Sequence, residues 1–359
     1  MNRLASVTVY DPDGLNPYGR EVAALLAHAG HTVRLLAPAD AEWIPLGVDA
    51  ALILPATGLR SRSVKSLQLV RGLFRLMADA VRGRTILVCW SWYLVEKLTV
   101  ALSGVVGRRL ILVVHNPEGR GRTSRWTRYA ERLERKTARV LVTHSAVLAA
   151  DLPSSKLRVC VHPPYSSYLR EFPRNRALQT EKDSGTTLLS LGAIRQDKGL
   201  DLLAEILGRL APDKRRRLRL RFIGRDRDRG REVVDRTAPL IPVVNELREW
   251  GASDHDVVCA LLESDALLAF YPGATQSGSA ILALTAGIRV LGFDVGALHE
   301  IIRPEFLVPV GDLGAAAKLI EDLVTDRLPP AANALDLEAW QARAQDEWSA
   351  ALQYAARRR

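Results

Sequence analysis

The sequence predicts an α/β protein of two doubly wound, parallel-sheet domains, and three observations carry that expectation. Short, continuous apolar runs recur along the chain, as strands buried on both faces of a parallel sheet require. Stretches with apolar residues at helical spacing alternate with them. Halfway along, a proline- and charge-rich segment interrupts the rhythm, which then restarts. With 359 residues, 48% of them hydrophobic, the chain can fill two cores.

Residues 7–10 read as the first strand, followed by a loop of turn formers over 11–17. A helix over 19–29 places Val22, Leu25 and Leu26 on one face and ends at Gly30. Further strands are expected over 32–36, 51–54, 85–88, 110–114, 139–143 and 157–161. Pro163, Pro164 and Pro173 mark the interruption. The restart predicts strands over 187–191, 218–223, 266–270 and 289–293, with helices over 199–210, 254–263 and 277–286. A final helix over 336–356 carries Leu337, Trp340, Trp348, Leu352 and Tyr354. The expected division is a first domain over 1–165, a linker over 166–183, a second domain over 184–335, and a terminal helix packing back toward the first domain.

Cys89, Cys160 and Cys259 are far apart and show no metal-ligand spacing, which fits a reducing compartment. No apolar run reaches the roughly 20 residues of a spanning helix, and the first residues lack a signal-peptide layout. A cytoplasmic location is expected. The net charge is +10, and it is uneven: residues 1–176 hold 26 Lys/Arg against 13 Asp/Glu, and residues 177–359 hold 24 against 27. The first half therefore attracts anionic surfaces, with a solvated basic face as the plain alternative. Its basic stretches lack interleaved aromatic platforms, so no nucleic-acid partner is expected.

Ligands of doubly wound sheets bind at the carboxyl ends of the strands, and two facing domains would share a cleft. Four post-strand loops carry candidate chemistry. In Gly192-Ala193-Ile194-Arg195-Gln196-Asp197-Lys198-Gly199, Arg195 and Lys198 would sit beside a helix N-terminus already favourable to an anion. In the 271–279 loop, Gln276, Ser277, Gly278 and Ser279 would offer a second cradle of amides and hydroxyls. His115 and Glu118, in His115-Asn116-Pro117-Glu118-Gly119, could donate to a sugar hydroxyl and act as a base. In the opening loop, Asp13, Gly14, Asn16 and Tyr18 lie after the first strand, where an acceptor or a donor phosphate could meet backbone amides. That loop lacks the GxGxxG spacing of a dinucleotide site. Asp226-Arg227-Asp228 has DxD spacing but reads as an Arg-rich surface turn, so no metal ligands are assigned.

Taken in order, these pieces resemble the glycosyltransferase family 4 type of GT-B enzymes, which have two Rossmann-like domains facing across a cleft. Ser190-Leu191-Gly192 with Arg195 and Lys198-Gly199-Leu200-Asp201 is similar to that family's Gly–Arg–x–x–Lys–Gly segment. Segments 252–266, 286–290 and 294–300 resemble those flanking its donor loop. His115-Asn116 and Val142-Thr143-His144-Ser145 resemble first-domain motifs. The resemblance implies that Arg195 and Lys198 clamp the donor diphosphate, that His115 contacts the transferred sugar, and that configuration at the anomeric carbon is retained. The family's two donor-loop glutamates, eight positions apart, fall here on Ala274 and Leu282. Thr275, Gln276 or Ser277 would stand in for the first, and ribose recognition is unassigned.

The implied activity is a metal-independent hexosyltransferase using a UDP- or GDP-sugar as co-substrate, with no further cofactor. The implied acceptor is a glycan or a lipid-linked glycan, in surface-polysaccharide or glycoconjugate biosynthesis. Arg71, Arg75, Arg82 and Arg84 flank an amphipathic segment with Leu69, Leu73, Phe74 and Met77, and residues 120–136 carry more cations around Trp126. They predict peripheral contact at the inner face of the cytoplasmic membrane, with core packing as the alternative for the apolar stripe. The missing glutamates admit a second reading, a non-catalytic GT-B-like partner subunit.

Overall fold

The computed structural model describes residues 4–115, 124–150, 152, 154–172, 185–194, 198–226, 230–273, 276–330 and 336–357. The chain divides into two compact units: Met1–Tyr168 together with Glu338–Arg359, and Leu169–Leu337.

The first unit contains β1 (Ser6–Tyr10), α1 (Tyr18–His28), β2 (Thr32–Pro38), β3 (Asp49–Leu54), α2 (Arg62–Val81), β4 (Thr85–Val88) and α3 (Leu94–Gly107). It continues with β5 (Leu110–Val113), α4 (Arg125–Thr137), β6 (Val140–Thr143), α5 (Ala146–Ala150) and β7 (Leu157–Val159). The division falls within α6 (Ser166–Glu171), a helix at the start of the segment expected to be linker. The Glu21 carboxylate holds its first turn, accepting from the Ser167 and Tyr168 amides at 2.9 and 3.0 Å.

The second unit contains β8 (Thr186–Leu191), α7 (Leu200–Arg209), α8 (Pro212–Arg215), β9 (Leu218–Arg225), α9 (Gly230–Thr237), β10 (Val243–Arg248) and α10 (Asp254–Leu262). After them come β11 (Ala266–Ala269), α11 (Gly278–Thr285), β12 (Arg289–Phe293), β13 (Leu307–Val308) and α12 (Leu313–Val324). The last helix, α13 (Leu337–Ala356), belongs to the first unit from Glu338 onward.

Both sheets are wholly parallel and doubly wound. The first runs β3-β2-β1-β4-β5-β6-β7 and the second β10-β9-β8-β11-β12-β13. Every residue of β4, β5, β6 and β11 is buried, so continuous apolar runs specify these central strands. β10 escapes such a reading because it is an edge strand with Val243, Glu246 and Leu247 half-buried and its other residues exposed. Winding direction reverses between β1 and β4 in one sheet and between β8 and β11 in the other. Crevices for ligands open at such reversals.

α13 closes the far edge of the first sheet. The indole N–H groups of Trp340 and Trp348 donate to the carbonyls of His162 and Val161 at 2.9 and 3.1 Å, and the Glu347 carboxylate accepts from the Val161 amide. Trp348 is fully buried.

Part of the expected basic face is internal scaffolding. Arg84 donates to Thr8 Oγ1 and to the carbonyls of Val7 and Thr32, tying strand starts together. Arg75 and Arg82 lean on buried Asp79. Leu73 is core, Leu69 and Met77 are half-buried, and Phe74 alone of that quartet is exposed. No helix among the described residues is long and apolar enough to cross a membrane.

Candidate functional site

In the second unit, the residues at the β8/β11 reversal converge. β8 ends at Leu191, and Gly192 follows with φ +108°. Its open side is faced by Ser279 Oγ and Lys198 Nζ, which a β-carbon there would meet at 3.3 and 3.8 Å. Ser279 Oγ donates to the Leu191 carbonyl, linking the start of α11 to the end of β8. Lys198 Nζ donates to Tyr271 Oη at 3.3 Å and lies 4.6 Å from the centre of that ring. Gly199 lets this arrangement form. It has φ +63°, and a β-carbon would lie 2.4 Å from the Phe270 carbonyl oxygen, so the α7 start can lie against the end of β11 only without a side chain.

Ser277 caps α11, its Oγ accepting from the Ala280 amide at 3.2 Å. The first amides of α11, including Gly278 and Ser279, have no partner within the helix and carry its positive end. A small pocket at the ends of β8 and β11 is lined by Leu191, Ala193, Lys198, Phe270 and Tyr271. One ammonium, one hydroxyl and a helix N-terminus therefore surround a side-chain-free position, a chemistry suited to a phosphate.

Gln276 is half-buried, one residue before the α11 cap. Arg195, Ala274 and Thr275 lie outside the described residues. Leu282 is buried in α11 and offers a ribose no polar group. Asp226 Oδ1 accepts from the Gly230 amide at the α9 start, while Arg227 and Asp228 lie outside the described residues.

In the first unit, His115 lies just beyond β5. Its Nε2 is 3.1 Å from the Cys89 carbonyl, an oxygen that can only accept, so Nε2 carries a proton. The ring stacks on Trp90 with 3.7 Å between centres and 11° between planes. Trp90 also stacks on Trp92. Asn116 and Glu118 lie outside the described residues.

The opening loop is more internal than expected. Asp13 Oδ1 accepts from the Leu15 amide, and the Gly14 carbonyl accepts from Arg20. Asn16 Oδ1 accepts from the Tyr18 amide and from Tyr165 Oη. Tyr18 is fully buried and donates through Oη to His144 Nε2 at 2.7 Å, because His144 Nδ1–H is committed to the Cys160 carbonyl. Tyr18, expected to face an acceptor, therefore has its side chain among interior rings. The ring lies edge-on to His115 at 5.0 Å and 4.8 Å from His162. Burial pushes His144 down to about 4 and His162 well below the usual histidine range, so both stay neutral near pH 7.

Sequence reasoning missed Asp11, Trp90, Trp92 and His162. Asp11 follows β1 directly and packs against Gly19, where a β-carbon would lie 2.3 Å from its carboxyl carbon. It is fully buried, with the Asp13 and Arg20 backbone its nearest hydrogen-bonding groups. Burial outweighs nearby Arg20 and pushes its carboxyl up to about 8. Position after a central strand was the available signal for Asp11 and Trp90.

Residues 185–326 match the family model described as glycosyl transferases group 1. No curated protein sequence matches the chain. Among solved structures, the chain is similar to Anabaena Alr3699/HepE in complex with UDP and glucose, at 14% identity over 95% of each chain with a TM-score of 0.65. Similarity to sucrose-phosphate synthase from Thermosynechococcus elongatus gives 16% identity, 98% and 94% coverage, and a TM-score of 0.61. The UDP-forming α,α-trehalose-phosphate synthase from Burkholderia xenovorans, in complex with glucose-6-phosphate, gives 12%, 99% and 100%, and 0.64. At these identities the likeness establishes the fold.

Proposed function

We propose that the protein transfers a hexose from a UDP- or GDP-sugar to a glycan or lipid-linked acceptor, a reading supported by the match of residues 185–326 to the group 1 glycosyl transferases model and by the GT-B fold. The observation carrying this reading is the convergence of Lys198, Ser279 and the α11 N-terminus on Gly192 at the β8/β11 reversal. The donor diphosphate lies there, and the family resemblance adds Arg195 as a second cation. As the bond between sugar and phosphate breaks, negative charge grows on the leaving phosphate. Fixed cations and N–H dipoles stabilise that charge most in the transition state, which lowers the barrier. These groups take the role that a metal ion plays elsewhere, and no cofactor beyond the co-substrate is required. By the family resemblance His115 contacts the transferred sugar, with its Nε2 held by the Cys89 carbonyl and one face backed by Trp90. Glu118 would be the base if configuration were inverted; the family resemblance favours retention.

Among the similar structures, the HepE complex with UDP and glucose and the UDP-forming synthase favour uridine as the base. Cell-surface polysaccharide or glycoconjugate synthesis is the proposed setting, on the cytoplasmic side of the membrane.

The test is thermal stabilisation by UDP, GDP, ADP and dTDP with a chelator present, on wild type, Lys198→Ala and Arg195→Ala/Lys198→Ala. Ligand bound to the folded state raises the melting temperature by mass action. One nucleotide is expected to give a clear shift, and losing the Lys198 ammonium should weaken its binding about tenfold or more. No shift with any nucleotide sinks the donor site. A shift without turnover in any acceptor extract favours the partner-subunit reading, which the apolar Leu282 motivates.

A further inference from the structure

Helix α3 is built inside out. Its buried residues are Glu96, Lys97, Val100, Ala101, Ser103 and Gly104, which include both of its charges. Its exposed residues are Leu94, Val95, Leu98, Leu102, Val105 and Val106, all large and apolar. Leu102 is 52% exposed and Val105 58%. An ordinary surface helix turns its apolar stripe to the core and its charges to water.

The inward charges are held by a defined network. The Glu96 carboxylate accepts from Tyr10 Oη at 2.7 Å and from the Trp92 and Tyr93 amides. Lys97 Nζ lies 3.4 Å from Glu131 and 3.7 Å from Glu134 of α4, and donates to Ser91 Oγ. These partners lock the rotation of α3 about its axis, so its apolar face cannot roll inward. Trp92 and Tyr93, immediately before the helix, are also more than half exposed.

The neighbours say what covers this face. α3 packs against α2 on one side and α4 on the other. α4 presents Arg125, Arg128, Arg132 and Lys136 to solvent, together with Trp126 and Tyr129. On α2, Arg71 and Phe74 are exposed, the latter by 78%. An apolar stripe flanked by cations and amphipathic aromatic rings matches the boundary between acyl chains and anionic headgroups. A second copy of the chain fits less well. A two-fold contact through α3 would bring the cations of two α4 helices toward one another.

We propose that the outer face of α3, flanked by α4 and α2, docks the first unit on an anionic lipid bilayer. The apolar side chains enter the acyl boundary, and the Arg and Lys side chains engage headgroup phosphates. Docking itself is independent of the donor reading. That it brings a lipid-linked acceptor to the enzyme rests on that reading.

Flotation of the full chain with lipid vesicles, without nucleotide, tests the proposal. Wild type should float with phosphatidylcholine vesicles containing phosphatidylglycerol, and much less with phosphatidylcholine alone. Leu98→Glu/Leu102→Glu alters two exposed positions, so it should keep the wild-type melting temperature while losing binding by about tenfold or more. Arg128→Gln/Arg132→Gln should weaken binding about fivefold per cation removed. Wild type that stays free of both vesicles overturns the proposal, as does a glutamate variant that floats like wild type. A dimer in sedimentation that the glutamate variant dissociates, with no flotation, assigns the face to a second copy instead. The nucleotide-induced melting shift, read on the same samples, should be unchanged by Leu98→Glu/Leu102→Glu. Its absence throughout would remove the donor reading and leave the flotation result intact.

Discussion

Asp11 shows what a single side chain does where it follows β1, an interior strand of the first unit's sheet. Its carboxyl is sealed against Gly19 and held near 8, from an ordinary 3.8, by burial. A carboxyl whose pKa rises on folding stabilises the fold while protonated. That contribution is full below about pH 4 and is lost as pH climbs through about 8. Asp11→Asn keeps the shape and cannot ionise. The variant should gain melting temperature relative to wild type steadily between those pH values. Each pH unit is worth up to about 1.4 kcal/mol. Parallel melting curves across that range would show that Asp11 ionises freely. At this scale the sequence disclosed position more readily than role. Lys198, Ser277 and Ser279 could be placed from motif spacing, whereas Tyr18, expected to face an acceptor, is an interior donor to His144. A side chain's direction depends on which neighbours pack over it, and that is not local information.

At the scale of elements, α3 is the instructive case. Its residues carry a helix-like apolar spacing, but the rule that apolar means inward assigns the wrong face. The burial of Glu96 and Lys97 follows from partners on β1 and α4, more than thirty residues away in each direction. Glu96 also fixes the loop of stacked Trp90 and Trp92 beside His115 through two amide hydrogen bonds. Glu96→Gln replaces one acceptor oxygen with an N–H donor. We expect a loss of about 1–3 kcal/mol, the cost of leaving a buried donor unpaired, read as a drop of several degrees in melting temperature. An unchanged melting temperature would mean that the loop holds itself. The apolar runs of β4, β5, β6 and β11 contrast with this, since strands buried on both faces leave no choice of side.

At the scale of the whole molecule, the chain leaves its first unit, completes a second, and returns through α13 to finish the first. Trp340 and Trp348 fill the space beyond β7 and satisfy the His162 and Val161 carbonyls. Removing a buried tryptophan costs about 3–5 kcal/mol, and a domain's whole stability is about 5–15 kcal/mol. A chain ending at residue 337 should therefore lose the calorimetric transition of the first unit and keep that of the second. Two intact transitions would refute a structural role for α13. By itself, the sequence determined the alternation of strands and helices, the two doubly wound sheets and the loops that follow their strands. Those features depend on local periodicity and on turn residues, which are written in consecutive positions. Tertiary structure alone decided that Lys198 and Ser279 meet over Gly192, that Tyr18 turns inward, and that α3 turns its apolar face outward. Each of these depends on contacts between residues far apart in the chain, where burial and hydrogen-bond partners outweigh local pattern.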